Sequence, residues 1–264
     1  MHVIVCIKQV PETSNVRMDE KTGTVIREGV ESIVNPLDLH AVELALRVRE
    51  ERGGRVTAVS MGPPKADRAV REALAMGCDA GLLLSHPALA GSDTWATAYA
   101  LAAAVRRLAP FDLVLCGVRA TDGETGQVGP GLASLLDVPL ATYASRIMSL
   151  AEGAVTVERL VEAGYETLRL PMPCLLTVGR EACYPRLPTL RGKQRARRQD
   201  VAVWGPAQMG VDEALVGLAG SPTRVVRVTR PVLARRGRTV EVARLGAQAA
   251  AHELADFLER NGFL

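Results

Sequence analysis

The stretch Leu113–Pro130 reads LVLCGVRATDGETGQVGP, and the groups in it with chemical potential are backbone amides rather than side-chain bases. Gly117, Asp122-Gly123, Gly126 and Gly129 follow a short apolar run, and apolar residues resume at helical spacing with Leu132, Leu135 and Leu136. Strand, glycine-rich loop and helix in that order can hold phosphate. The first N–H groups of a helix have no intrahelical acceptor, and the helix dipole adds to their attraction for an anion. Glycine lets the backbone come close and adopt positive φ. Thr125 and Gln127 supply neutral hydrogen-bonding side chains. The same spacing describes an ordinary strand-to-helix turn, and from the residues alone both readings stand. The pattern is neither the dinucleotide fingerprint nor the P-loop, since no G-x-G-x-x-G follows a strand here and no G-x-x-x-x-G-K-[ST] occurs.

Other chemistry has less support. His2, His40, His86 and His252 lie in no recognisable nucleophile context, and no G-x-S-x-G is present. His40 reads as a face residue of a helix rather than a base. Cys6, Cys78, Cys116, Cys174 and Cys183 are an odd number with no C-x-x-C pair, and three of them sit in apolar strand-like runs. They read as small core residues in a reducing compartment, not as a disulfide frame or zinc site. Aromatics make up 3% of the chain, which argues against a base-stacking nucleic-acid surface, and the net charge of +3 creates no global polyanion field. The apolar start MHVIVCIKQV is short and broken by Lys8, so it reads as a strand and not a targeting peptide. No run approaches the roughly 18 apolar residues of a membrane span. The expectation is a cytoplasmic protein with no membrane insertion.

The elements that would position the loop are legible in order. Val3–Ile7, Arg55–Met61, Ala80–Leu84 and Phe111–Cys116 are predicted strands. Helices are predicted from Pro36 to the Gly53-Gly54 break, over Lys65–Met76, and over Asp93–Leu108, with Asn35 as a plausible cap of the first. Strands alternating with helices give an α/β fold with a doubly wound parallel sheet. A hairpin turn is expected at Asp19–Gly23. After Pro139 the texture changes, and Ala141–Leu150, Ala154–Val161, Tyr165–Leu170 and Cys174–Val178 read as a meander that extends the sheet antiparallel. Residues 183–200 carry two prolines and six basic residues, read as a solvated loop able to dock an acidic protein partner. Beyond it stand a short helix over Val211–Leu218, a strand over Arg224–Val228, a basic turn at Arg235–Arg238 and an amphipathic helix over Ala247–Leu258. This tail is too poor in apolar residues for its own core and reads as an extended C-terminal arm.

Several stretches resemble the beta subunit of electron transfer flavoproteins. They are CIKQVPET at 6–13, REGVESIVNPLDLHAVELALRVRE at 27–50, AVSMGPPKADRAVREALAMGCDAG at 58–81 and LCGVRATDGETGQVGPGLA at 115–133, with weaker matches at 166–178 and 184–198. They run in family order across nearly the whole chain. The resemblance implies an adenine nucleotide alpha hydrolase-like fold without ATP cleavage, and an electron carrier with no acid–base or nucleophilic chemistry of its own. It implies a heterodimer with an alpha subunit carrying redox-active FAD, moving electrons from dehydrogenases to a quinone reductase or another acceptor. Residues 1–183 would be the nucleotide-binding domain, and 184–264 the partner-recognition loop and an arm packing on the alpha subunit.

Carried over position by position, the resemblance places the nucleotide against Cys6, Asn35, Pro36, Leu37, Asp38, Met61, Gly117, Arg119, Ala120, Asp122, Gly123, Glu124, Thr125, Gly126, Gln127 and Val128. It places partner docking at Leu190, Arg191 and Arg195, with arginines where the family usually has lysines. Many members hold AMP here; the electron-bifurcating and nitrogen-fixation-associated branches hold a second FAD. Asp122–Pro130 resembles the D-G-D-T-x-Q-V-G-P form of the FAD-holding branch, and Gly123 would leave room for a second phosphate. FAD is therefore expected, with AMP in the same site as the alternative. A different class, an ATP-using or stress-type nucleotide-binding α/β protein, is disfavoured. The first strand leads into Lys8-Gln9-Val10-Pro11 instead of a phosphate loop, and stress-type modules lack so long a tail.

Overall fold

Along β1 (His2–Ile7) the side chains alternate between two cores. Val3, Val5 and Ile7 enter one, Ile4 and Cys6 the other. A strand buried on both faces must lie in the middle of a sheet covered on both sides, and a computed structural model shows this arrangement. It describes residues 1–12, 31–226 and 239–264.

The short β2 (Gln9–Pro11) and β3 (Ser32–Val34) pair antiparallel with each other and lead into α1 (Pro36–Arg52). Then come β4 (Arg55–Met61), α2 (Asp67–Met76), β5 (Ala80–Leu84), α3 (Thr94–Arg107), β6 (Leu113–Gly117) and α4 (Val128–Leu136). The antiparallel part is β7 (Leu140–Ala151), β8 (Ala154–Val161) and β9 (Gly164–Pro171), followed by β10 (Cys174–Val178). After α5 (Leu190–Arg198) come β11 (Ala202–Trp204), α6 (Pro206–Met209) and α7 (Gly217–Gly220).

The main sheet has nine strands in the order β11-β5-β4-β1-β6-β10-β7-β8-β9. From β11 to β7 neighbours are parallel; β8 and β9 are antiparallel. One face buries Ala41, Val42, Ala45 and Leu46 of α1 with Val70, Ala73 and Leu74 of α2. The other buries Ala98, Leu101 and Val105 of α3 with Leu132 and Ala133 of α4. The sheet is thus doubly wound, as the alternation of strands and helices predicts. From β1 the chain moves outward through β4 to β5, then returns to place β6 on β1's other side. This reversal is the point at which ligands of open α/β sheets bind, beyond the carboxyl ends of the strands.

Four expectations change. Cys174–Val178 is not the last strand of a meander: it returns to run parallel between β6 and β7. All five of its residues are buried, the mark of a central strand. The basic stretch is not a loop throughout: from Leu190 to Arg198 it is helical, with Thr189 Oγ1 accepting from the Gly192 N–H at 2.9 Å. Its prolines precede Thr189, and Leu, Arg, Lys, Gln and Ala are good helix formers. Val211–Leu218 is not one helix; it splits into a 3-10 turn at Glu213–Leu215 and α7. β11 was not foreseen, since three residues give no periodicity. Asp19–Gly23 and Arg235–Arg238 lie outside the described residues, as do Arg227 and Val228, and Arg224–Val226 form no strand.

Met1–Val226 form one compact unit and Arg227–Leu264 a second. In the second, α8 (Val242–Leu245) precedes α9 (Ala247–Arg260), and neither has a buried residue. No helix among the described residues is long and apolar enough to cross a membrane.

Candidate functional site

The carboxyl ends of β1 and β6 are joined by one side chain. Asp38, in the first turn of α1, is buried, and its carboxylate accepts the Lys8 N–H at 2.7 Å and the Gly117 N–H at 3.1 Å. Burial pushes its pKa up to about 7, against the pull of hydrogen bonds from Asn35 and from those two amides. Gly117 must be glycine here. A Cβ would lie 2.9 Å from the Leu37 carbonyl carbon and 3.0 Å from the Asp38 nitrogen, and closer still to Asp38 Oδ1.

Asn35 occupies the N-cap position of α1, yet its side chain makes no capping bond. It is fully buried and reaches across to the loop, where Nδ2 donates to the Arg119 carbonyl at 2.9 Å and Oδ1 accepts the Thr121 N–H at 3.2 Å. The cap reading is therefore corrected: Asn35 grips backbone on the far side of the cleft. Pro36 starts the helix without an N–H to leave unpaired, and Leu37 is buried beneath Gly117.

The loop then turns outward. Ala120 O accepts the Glu124 N–H at 2.8 Å, and Glu124 and Gly126 both have positive φ, 51° and 63°. At Gly126 a glycine carries that conformation without cost. Among the described residues, nothing lies within 4 Å of a Cβ built on Gly123, so that position faces open space. Thr125 Oγ1 is 3.5 Å from the Gln127 N–H, and Gln127 Oε1 accepts from Thr94 Oγ1 at 3.0 Å. At the start of α4 no side chain caps the helix. Among the described residues, the N–H groups of Gly126, Val128 and Gly129 meet no hydrogen-bond acceptor. A glycine cradle with free amides and open space beside it fits the phosphates of an adenine nucleotide.

Cys6 ends beneath this site, in register with Cys116 on β6. Burial and then the nearby Asp38 push its thiol up to about 12, and burial, then Cys6 and Asp38, raise Cys116 as well. Both are neutral packing groups. Met61 closes the carboxyl end of β4, next to β1, and packs into the α3/α4 core. The expected nucleotide residues therefore converge on one edge of the sheet.

Two contributors gave little signal in the sequence. Lys8 Nζ pairs with Asp122 Oδ1 at 2.7 Å, although its segment reads as incapable of cradling phosphate. Thr94 touches Gln127 from α3, a contact that no local pattern announces.

Leu190, Arg191 and Arg195 lie elsewhere, on α5, which packs against α2. A Cβ on Gly192 would collide with the Ala75 carbonyl, so the two helices approach closely. Leu190 is 81% exposed. Arg195 turns back instead, donating to the Leu74 carbonyl at 2.8 Å near the end of α2. A cavity of about 650 Å³ is lined by Asp79, Arg191, Gln194, Arg195, Arg198 and Gln199. Upstream, Arg186 binds Glu43 Oε2 at 2.7 Å and Glu50 Oε1 at 2.5 Å. Burial alone would raise the Glu43 pKa, but hydrogen bonds from Arg186 and Arg47 outweigh it and hold the carboxyl below its usual range. The segment before α5 is thus bolted to α1, and Tyr184, Leu187 and Leu190 project from it into solvent.

The model of the electron transfer flavoprotein domain matches residues 22–209. An electron transfer flavoprotein subunit beta of Thermoanaerobacterium thermosaccharolyticum is 46% identical over 238 residues, covering 90% of this chain and 91% of the relative. Protein FixA of Azotobacter vinelandii is 44% identical, covering 88% of this chain and 84% of its own. The caffeyl-CoA reductase-Etf complex subunit CarD of Acetobacterium woodii is also 44% identical, covering 88% of each. Identity at this level over nearly the full length means that the chain belongs to the electron transfer flavoprotein family, beside its beta subunits.

Proposed function

We propose that this chain is the beta subunit of a heterodimer and holds FAD in the cleft between β1 and β6. The observation that carries the reading is the row of acceptor-less amides at Gly126, Val128 and Gly129, in a loop whose first turn, Gly117 to Thr121, is held by Asn35 and Asp38. The open space at Gly123 favours a dinucleotide over AMP, which needs room for one phosphate only. When bound, a flavin supplies the electron chemistry. The chain's own residues bind and orient: the loop amides face phosphate, and Met61 and Cys6 form apolar floor. None of them needs to act as acid, base or nucleophile. Such a subunit passes electrons between dehydrogenases and a quinone reductase or another acceptor in the cytoplasm. Residues 1–183 form the nucleotide-binding part, Leu190 and Arg191 meet the redox partner from a helix that Arg195 fastens to the end of α2, and the C-terminal arm packs on the alpha subunit.

Flavin counting on the purified heterodimer tests the cofactor. Two FAD per heterodimer are expected; one FAD and one AMP would overturn the two-flavin reading.

A further inference from the structure

The glycine loop touches a cation at one point. Lys8 Nζ lies 2.7 Å from Asp122 Oδ1, linking the end of β1 to the loop after β6 across the mouth of the cleft. Among the described residues, no other basic side chain outside the loop forms an ion pair or hydrogen bond with residues 117–127. The base of Lys8 is fixed, because its N–H is held by Asp38 and its carbonyl accepts the Asn35 N–H at 2.8 Å. Its side chain is 48% exposed, whereas that of Asp122 is 19% exposed. The ammonium group thus sits at the solvent end of a flexible four-carbon stem whose root cannot move.

We propose that Lys8 is the phosphate-binding cation of this site, and that Asp122 is its resting counter-ion, exchanged for phosphate when the nucleotide enters. The inference rests on the nucleotide reading above. Without a phosphate, the ammonium and carboxylate neutralise each other at the loop. Asp122 and the free amides belong to one loop, so a phosphate on those amides adds a second negative charge to it. Lys8 answers that charge from its present position by turning its stem. A half-exposed ion pair contributes about 1 kcal/mol or less, so it opens readily. A phosphate already held by several amides offers the ammonium a stronger acceptor.

The test titrates the nucleotide-depleted heterodimer with FAD, AMP and adenosine. Lys8→Gln should weaken FAD and AMP by about tenfold or more, the size expected for losing one charged hydrogen bond. Lys8→Arg should restore most of that loss. Asp122→Asn should tighten both nucleotides by about threefold, since it frees Lys8 and removes a like charge. Adenosine, which lacks phosphate, should respond to none of these changes. If Asp122→Asn weakens FAD as much as Lys8→Gln does, the pair is a brace that only shapes the loop, and the proposal fails. Equal losses for adenosine and AMP would also overturn it. Gly126→Val separates the two levels. Nucleotide binding that survives this change removes the cleft reading itself; binding lost there but unchanged in Lys8→Gln removes the Lys8 assignment alone.

Discussion

Asp38 is a carboxyl group placed where a charge is costly, and its two amide donors do not fully offset its burial. Its pKa of about 7 lies above the ordinary carboxylate value of 3.8, and this fixes the sign of its pH effect. The unfolded chain releases this proton near pH 4, but the folded chain keeps it until near pH 7. Between those limits the folded state holds more protons, so the contribution of Asp38 to stability is complete below about pH 4 and falls as pH rises to about 7. Asp38→Asn should remove that slope. Relative to the variant, the natural chain should lose ~2 kcal/mol of unfolding free energy between about pH 5 and 8. Urea unfolding at both pH values checks this, and parallel losses in the two proteins would show that Asp38 does not titrate in the window. Cys6, Cys116 and Lys8 are the other ionisable groups facing this carboxyl, and the two thiols, raised by burial, stay neutral throughout. Asn35 belongs to the same scale. Its identity and its place before Pro36 suggest a helix cap, yet its amide grips the Arg119 carbonyl and the Thr121 N–H. That use depends on a partner more than eighty positions away, so local pattern could not reveal it.

At the scale of the element, α5 shows why a basic run need not be a solvated loop. Arg186 ties to Glu43 and Glu50 on α1, Arg195 donates to the end of α2, and Arg71 of α2 donates to the Ala196 carbonyl at 2.6 Å. Cations near a helix C-terminus also meet its dipole favourably, which suits Arg195 beside Leu74 and Cys78. These arginines therefore anchor the segment, while Leu187 and Leu190 remain outside. Two substitutions should separate anchoring from display. Arg186→Met leaves the buried Glu43 with Arg47 as its remaining ionic partner and should cost about 2 kcal/mol in chemical unfolding. Leu190→Ala exchanges one exposed side chain and should leave stability within about 0.5 kcal/mol. It should slow reduction by the partner dehydrogenase with flavin content unchanged. Loss of flavin in Leu190→Ala would refute its docking role, and an Arg186→Met protein as stable as the parent would refute the anchor.

For the molecule as a whole, what could be read in advance followed the range of the forces involved. The strands β1, β4, β5 and β6 were legible as short continuous apolar runs, and the helices between them by apolar spacing and the glycines and prolines at their ends. In the glycine loop Gly126 answers a local backbone demand, its positive φ, whereas Gly117 is required by the approach of Leu37 and Asp38 from α1, which the local pattern does not announce. The place of β10 was not legible, since a strand can join any edge or gap that its apolar faces allow, and only the assembled sheet settles which. The Lys8–Asp122 pair was hidden for the same reason, its partners being 114 positions apart. The C-terminal unit presents the reverse case, an amphipathic helix legible in sequence whose apolar side its own unit does not cover. Leu254 and Phe257 of α9 are 59% and 54% exposed, and Phe263 and Leu264 beyond it are more so. Residues of this kind are left uncovered when a partner is to cover them. Met1–Val226 hold both cores of the sheet, so a chain ending at Val226 should fold cooperatively, with its melting temperature shifted by only a few degrees. The same truncation should weaken association with the alpha subunit by at least about tenfold, as expected when one apolar anchor cluster is lost. Co-purification and analytical ultracentrifugation read both outcomes. A truncated chain that still holds the alpha subunit at the parental affinity would mean that the arm serves something other than the heterodimer.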